Sequence, residues 1–196
     1  MMYFDLIMAG LGGQGILFMG SLLANAAMVE GKEVTYMPAY GPEMRGGTAN
    51  CTVVISDREI GSPVIYNPYA AIVMNRPSLA RFGPRVLRKG LIIVNSSLVD
   101  PSEITVSNRS ILLVPANDLA REAGDERLGN MVALGSLVAE CGVVRLKSLV
   151  KVLPQIIQER YHDLLPVNIK CLEKGREYIR NVADRSRLFG HLPAAQ

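Results

Sequence analysis

Residues 4–16 read FDLIMAGLGGQGI, and this stretch decides the fold class. The apolar run Phe4–Ala9 ends at glycine, which predicts a buried strand. The glycines of residues 10–15 follow with the spacing GxGxxG, directly before a stretch with helical spacing, Ile16–Val29. The segment EVTYM at 33–37 then predicts a second strand. Strand, glycine turn, helix and strand predict a βαβ unit whose two strands run parallel with a right-handed crossover.

The rest of the chain continues this alternation of apolar runs and helical patterns. Further strands are predicted at Thr48–Ser56, Ala70–Asn75, Leu91–Asn95 and Ile111–Pro115, with a short extended segment at Ile60–Ile65. A turn at Asp57 predicts a hairpin that would make this part of the sheet antiparallel. Helices are predicted after Pro77, at Asn117–Ala123 with Asn117 near the N-cap, at Leu128–Cys141, at Leu146–Tyr161 with a bend or break at Pro154, and at Val167–Val182.

These elements predict one α/β domain over residues 1–196. The expected architecture is a three-layer Rossmann-like domain with a mostly parallel, mixed sheet and helices at the carboxyl terminus. Residues 185–196 offer few apolar anchors, so we expect a tail that is loose or docked on a partner.

Composition excludes several classes of protein. The net charge is +3, Trp is absent and no basic run is interleaved with aromatic residues, so nucleic-acid binding is not expected. The amino terminus has no basic region typical of a signal peptide, and the apolar run 16–29 is shorter than the roughly 20 residues that span a bilayer. We therefore expect a cytoplasmic protein that is not in the membrane.

The cysteines and histidines show no metal-binding spacing. Cys51, Cys141, Cys171, His162 and His191 are isolated from one another in the sequence. No CxxC pair or Cys/His cluster with zinc or iron–sulfur spacing is present. The thiols are expected to be reduced and structural, and any cluster in a larger assembly would belong to another polypeptide.

The glycine turn is suited to an anion, because glycines allow close approach and a helix start offers free N–H groups. Phosphate is the natural ligand, although a carboxylate or the edge of a partner subunit also fits. Glycines used only for close helix–sheet packing remain an alternative.

A dinucleotide site needs an acidic residue at the end of the second strand, but that strand ends Met37-Pro38-Ala39-Tyr40 and Glu33 lies at its start. The Walker Gly-Lys-Ser/Thr pattern is absent as well.

A second glycine-rich segment, PAYGPEMRGG at 38–47, follows the second strand. It leaves the carboxyl end of that strand, which places it on the same edge of the sheet as the glycine turn. Arg45 is therefore a candidate to bind a phosphate or carboxylate. The alternative is an exposed turn in which Arg45 only pairs with Glu43.

Together, these segments resemble the gamma subunit of 2-oxoacid:ferredoxin (acceptor) oxidoreductases, and look closest to the 2-oxoglutarate type. The resemblance is carried by AGLGGQGI at 9–16, YGPEMRGGTANCTVVIS at 40–56, SPVI at 62–65 and NMVALGSL at 130–137, and runs from about residue 3 to about residue 185. It implies a subunit of a complex that converts a 2-oxoacid and coenzyme A to acyl-CoA, CO2 and reduced acceptor. Thiamine diphosphate, Mg2+ and iron–sulfur clusters would be held by the alpha and beta subunits and by a possible delta subunit, with ferredoxin as the acceptor.

The resemblance implies that this chain contributes architecture and contacts to coenzyme A. The implied anion turn consists of Gly10, Gly12, Gly13, Gln14 and Gly15, and the residues implied to face the active site or coenzyme are Tyr40, Glu43, Arg45, Gly46 and Gly47. No catalytic residue and no metal ligand is assigned. Asn130 opens a predicted helix, where a helix cap or a buried hydrogen-bond partner is its ordinary role.

Two other functions remain open from the residues alone. One is a stand-alone nicotinamide-dependent enzyme, and the other is a nucleotide- or coenzyme-binding regulatory module without chemistry of its own. The isolated chain is expected to be inactive toward 2-oxoacids. By resemblance the substrate of the complex is 2-oxoglutarate, with pyruvate, branched-chain and aryl 2-oxoacids as alternatives whose selection would depend on other subunits.

Overall fold

The computed structural model describes residues 2–39 and 48–189, with side chains described as far as residue 182. Six strands form one sheet in the order β2-β3-β1-β4-β5-β6. Their bounds are β1 Tyr3–Leu11, β2 Glu33–Ala39, β3 Thr48–Ser56, β4 Ala70–Val73, β5 Leu91–Asn95 and β6 Ser110–Val114. The predicted sites Tyr40, Glu43, Arg45, Gly46 and Gly47 lie outside the described residues.

In the described ranges, six α-helices accompany the sheet. They are α1 Ile16–Val29, α2 Arg76–Phe82, α3 Ala116–Ala123, α4 Gly129–Cys141, α5 Leu146–Ile156 and α6 Leu165–Phe189. A 3-10 segment at Glu159–Leu164 separates α5 from α6, so the predicted helix 146–161 ends early. Pro154 lies inside α5, close to its end. In the described part of the chain, none of the helices combines the length and apolar character needed to cross a membrane.

The sheet is mixed and mostly parallel, as predicted. Strands β1, β4, β5 and β6 are parallel neighbours, whereas β3 is antiparallel to both β1 and β2. Strands β1 and β2 therefore point the same way, but β3 lies between them. The predicted hairpin at Asp57 is wrong: β3 ends at the edge where β4 begins, so the chain passes along that edge without a strand at 57–69.

Alternating side chains of the central strands pack into two cores, one on each face of the sheet. The sheet and the helices on its two faces are the predicted three layers. Leu6 and Met8 of β1 face a large core formed with α1, α3, α4, α5 and α6. Ile7 and Ala9 of the same strand face a smaller core that contains Phe82 of α2. Strands β1, β4 and β5 are buried on both faces, which is why their sequences are nearly continuous apolar runs.

The start of α3 differs from the prediction. Helix α3 begins at Ala116, and Asn117 is the second helical residue rather than the cap. The Asn95 side chain at the end of β5 takes the capping position instead, since its Oδ1 accepts a hydrogen bond from the Ala116 N–H at 3.2 Å. The cap thus comes from a neighbouring strand, which spacing along the chain does not reveal.

Candidate anion-binding site at the carboxyl edge of the sheet

The glycine turn joins β1 to α1 at the carboxyl edge of the sheet. Gln14 holds the turn through two hydrogen bonds: its side-chain Oε1 accepts from the Leu11 N–H at 2.7 Å, and its backbone N–H donates to the Leu11 carbonyl at 3.2 Å. Gly13 and Gly15 have φ values of 91° and 69°, in the left-handed region that favours glycine. The turn conformation therefore depends on these two glycines.

Gly10 has a different role, because it allows close packing. A Cβ at Gly10 would lie 2.6 Å from Gln14 Oε1 and 2.7 Å from Ile16 Cδ1. Those contacts are shorter than side-chain atoms tolerate, so the position requires glycine if Gln14 and Ile16 are to keep their places. Packing, which the sequence left open as an alternative, thus accounts for Gly10, while Gly13 and Gly15 serve the turn.

The start of α1 presents unpaired N–H groups to this turn. The N-terminal N–H groups of an α-helix, here Ile16, Leu17 and Phe18, have no carbonyl partner within the helix. Within the described structure, no side chain caps α1, and its first turn contains no acidic residue. The partial positive charge of the helix start is therefore available to an anion.

A cavity of about 210 Å³ adjoins the glycine turn. Its lining combines the turn with residues from the ends of three other segments, namely Gly13, Gln14, Met74, Asn117, Arg127, Gly129 and Asn130. Asn130, 5% exposed, donates from Nδ2 to the Gly15 carbonyl at 3.2 Å. Its Oδ1 is buried and has no hydrogen-bond partner among the described residues. Asn130 therefore links the start of α4 to the start of α1, as a buried hydrogen-bond partner and not as a cap.

Three further asparagines lie along the same edge. Asn75, just after β4, caps α2 through the Ser78 N–H at 2.9 Å and points Nδ2 at Gln14 Oε1, 3.4 Å away. Asn95 Nδ2 donates to Asn117 Oδ1 at 2.7 Å. Hydrogen bonds from these carboxamides connect the segments that follow β1, β4, β5 and β6. They stabilise the wall of the cavity without adding charge.

Arg127 is the described cation of this cavity. Its guanidinium pairs with Asp125, with Nη2 2.7 Å from Oδ2. The hydrogen bonds from Arg127 hold the pKa of Asp125 below its usual range, and the same pair raises the pKa of Arg127. The Arg127 side chain is 82% exposed, so it can reorient toward an anion at small cost.

The structure places Gly12, Gly13, Gln14 and Gly15 in the turn, with Gly12 exposed and with Gly10 in β1 directly before the turn. Sequence reasoning did not assign Asn75, Asn95 or Arg127 to the site. A usable signal was present for the two asparagines: Asn95 is the last residue of buried β5 and Asn75 comes two residues after buried β4, and the carboxyl ends of both strands must lie on this edge. Arg127 carried no comparable signal, because its position depends on the short 3-10 turn before α4.

The described side chains do not fit a metal ion or an iron–sulfur cluster. No group of three or more His, Cys, Asp or Glu side chains is arranged to hold a metal in the described portion. Burial raises the pKa of Cys51 and Cys141 to about 12 and that of Cys171 to about 11. Such thiols resist the deprotonation that ligation requires.

Comparison with known proteins agrees with this architecture. Residues 5–178 match the family Pyruvate ferredoxin/flavodoxin oxidoreductase. The ketoisovalerate oxidoreductase subunit VorA of Methanothermobacter marburgensis is 36% identical over 183 residues, covering 88% of this chain but 36% of VorA, so the chain spans about a third of that relative's length. The 2-oxoglutarate synthase subunit KorC of Archaeoglobus fulgidus is 32% identical over 184 residues, covering 94% of this chain and 91% of KorC.

Two solved structures share the fold. The keto/oxoacid ferredoxin oxidoreductase gamma subunit of Geobacter sulfurreducens superposes with a TM-score of 0.77 at 27% identity, covering 91% of this chain and 99% of that one. The 2-oxoglutarate:ferredoxin oxidoreductase of Magnetococcus marinus, with 2-oxoglutarate, coenzyme A and succinyl-CoA bound, gives 0.80 at 22% identity over 91% of this chain and 31% of that one, which shows the fold alone. Sequence and structure agree with the resemblance to gamma subunits, and the chain belongs to the pyruvate ferredoxin/flavodoxin oxidoreductase family.

Proposed function

We propose that this chain is the gamma subunit of a thiamine-dependent 2-oxoacid:ferredoxin oxidoreductase. The complex would convert a 2-oxoacid and coenzyme A to acyl-CoA and CO2, passing electrons to ferredoxin. Alpha and beta subunits, with a delta subunit where one exists, would be the partners, in the cytoplasm. Support comes from the family match and from KorC, which this chain matches over nearly its whole length.

Within this complex, the glycine-turn edge would bind an anionic part of coenzyme A. The observation that carries this proposal is the uncapped start of α1 beside a cavity of about 210 Å³. Coenzyme A bears phosphates, and free helix N–H groups suit them. Tyr40, Glu43, Arg45, Gly46 and Gly47 follow β2 and would complete this surface, with Arg45 as the cation.

Thiamine diphosphate, Mg2+ and iron–sulfur clusters would be held by the other subunits. The described residues of this chain supply no ligand set for them, as the separated thiols and the lack of an acidic cluster indicate. The role of this chain would therefore be positioning and binding. Among 2-oxoacids, 2-oxoglutarate is the first to test, because KorC is matched over 91% of its length.

Sheet order argues against the stand-alone nicotinamide enzyme. In a dinucleotide-binding fold the second strand neighbours the first, so an acidic residue at its tip reaches the ribose. Here β3 lies between β1 and β2, which moves the tip of β2 to roughly 10 Å from β1, two strand spacings away. A nucleotide on the glycine turn would find no acidic residue of β2 beside it.

The test is to purify the tagged chain gently from its native host and identify what accompanies it. We expect a thiamine-binding subunit pair, and reduction of a viologen dye by the purified material when it receives 2-oxoglutarate and coenzyme A. Recovery of the chain alone, or of a complex that ignores all 2-oxoacids, would overturn the subunit assignment. In the active complex, Arg45→Ala should raise KM for coenzyme A. An unchanged KM and turnover would remove Arg45 from the site while leaving the subunit assignment intact.

A further inference from the structure

We propose that the chain has a second anion-binding site, for a small phosphate compound, at the end of the molecule away from the glycine turn. The site is the basic cleft, defined by Arg145, Lys147, Arg176 and Arg180. These residues line a cavity of about 390 Å³ between α4, α5 and α6. That volume lies within the roughly 300–1,000 Å³ usual for small-molecule sites.

The basic cleft is remote from the glycine turn. Glu30, at the carboxyl end of α1, accepts a hydrogen bond from the Arg145 N–H at 2.7 Å, so Arg145 lies beside the far end of that helix. Helix α1 has 14 residues and thus extends about 20 Å from the glycine turn to this point. A ligand in the cleft and one on the glycine turn would not touch each other.

Close packing of α4 against α6 brings the cations together. Gly135 of α4 lies against the backbone of α6, where an added Cβ would be 2.1 Å from the Leu172 carbonyl. A Cβ added at Gly175 of α6 would likewise lie 2.1 Å from the Val132 carbonyl of α4. This contact carries the neighbouring Arg176 and Arg180 to the start of α5.

The positive charges in the cleft are poorly balanced. The charge of Arg145 is partly balanced by Glu30, since Arg145 Nε lies 3.4 Å from Glu30 Oε1. Lys147, Arg176 and Arg180 make no hydrogen bond or ion pair with any other described residue, and the buried Nε of Arg176 lacks an acceptor. A buried donor without a partner costs free energy, and like charges that converge on one cavity repel each other. A bound anion would offset both costs.

The backbone adds to this field. Helix α5 begins at Leu146, directly after Arg145, and its first turn contains no acidic residue among the described side chains. The N–H groups of Leu146 and Lys147 have no partner within the helix, because the ladder begins one turn later. A helix start alone would not make a site, but here it faces the same cavity as the four cations.

The lining indicates the class of ligand. Val138, Ala139 and Val144 form apolar walls, and none of the described residues that line the cavity is acidic. Three unpaired cations favour a ligand with at least two negative charges, and guanidinium groups suit the oxygens of phosphate. Pyrophosphate and the diphosphate of a nucleotide share this chemistry. They differ because only the nucleotide has a nucleoside that the apolar walls could contact.

The test is calorimetric titration of the full-length chain with pyrophosphate, compared with ADP. The test variant is K147Q/R180Q, which removes two charges from the cleft. Its matched control is K151Q/K170Q, which removes two exposed charges from the same helices, α5 and α6, outside the cavity. We expect the native chain and the control to bind pyrophosphate and the test variant to bind roughly tenfold more weakly or worse.

Thermal unfolding without ligand tests whether the variants fold, and the test and control variants should melt within a few degrees of each other. Thermal unfolding with pyrophosphate then checks the binding seen by calorimetry. Tighter binding of ADP than of pyrophosphate would identify a nucleotide as the source of the phosphates, and the reverse order would identify a free inorganic anion. Absence of saturable binding to the native chain would overturn the proposal. Equal weakening in the test and control variants would also overturn it, because it would show only the effect of net charge.

Discussion

Asn130 and Gly15 lie 115 positions apart in the chain, yet the Asn130 carboxamide donates to the Gly15 carbonyl at 3.2 Å. The bond joins the first turn of α4 to the residue directly before α1. Gly15 cannot accommodate a side chain here, since a Cβ would lie 2.3 Å from Asn130 Nδ2. The conformation of the glycine turn therefore depends on a helix from the last third of the chain.

Asn130→Ala should weaken coenzyme A binding in the assembled complex more than it weakens the fold. The change removes one hydrogen bond, worth about 1 kcal/mol, and leaves the Gly15 carbonyl still bonded to the Met19 N–H. We expect KM for coenzyme A to rise roughly tenfold as the turn loosens, measured by dye reduction at saturating 2-oxoacid. Asn168→Ala is the control, because it deletes an equally buried carboxamide that bonds only within its own helix region, to the Leu164 carbonyl. Equal KM values in the two variants would contradict the role of Asn130.

Gly135→Ala should strongly destabilise the fold. Its Cβ would meet the α6 backbone at 2.1 Å, and two packed helix backbones cannot both stay in place. We expect a loss of about 2 kcal/mol or more in the free energy of unfolding, measured by urea denaturation. The matched control is Gly61→Ala, where no described atom lies within 4 Å of the added Cβ, and it should change stability by less than about 0.5 kcal/mol.

Glu30 should give the fold an acid-sensitive contact. Burial pushes the pKa of this carboxyl up, but hydrogen bonds from Ser148 Oγ at 2.6 Å and from Arg145 together outweigh it, so the pKa falls below 4.5. A lowered folded-state pKa means that the carboxylate stabilises the fold above about pH 4.5, and that this stabilisation is lost as pH falls through the folded-state pKa.

Glu30→Gln should therefore cost about 1 kcal/mol of stability at pH 7, because it weakens the contact that fixes the start of α5. The difference between native and variant should shrink as the pH is lowered below 4.5, measured by urea unfolding across the pH series. A pH-independent difference would show that the contact acts by shape and not by charge.

The three thiols should react slowly in the folded chain. With its pKa raised to about 12 by burial, only about one Cys51 side chain in ten thousand is a thiolate at pH 8. Cys141, also near 12, and Cys171, near 11, should be similarly slow. We expect a disulfide reagent to modify the native chain at a rate limited by unfolding and to titrate all three thiols at once in denaturant. Rapid native labelling would contradict the buried placement.

Local pattern was enough to predict most elements. Helix α1 and strands β3 and β5 have the predicted bounds, because each segment keeps its apolar or β-branched pattern until residues that favour turns follow. The end of the helix predicted at 146–161 was wrong, since residues Glu159–Leu164 form a 3-10 segment. The helix stops where Ile157 adopts an extended backbone, and His162 Nε2 lies within hydrogen-bond distance of the Pro154 and Ile157 carbonyls, contacts that periodicity does not report.

The sequence by itself determined the family, the α/β class and the glycine turn, because these depend on contiguous residues whose conformational preferences are local. Only the tertiary structure decided that β3 lies between β1 and β2, that Asn95 caps α3 and that Asn130 reaches Gly15. It alone decided that Arg176 and Arg180 lie beside the start of α5. The physical reason is that strand order and interhelical contacts are set by which buried faces pack together, and that packing joins residues far apart in the chain.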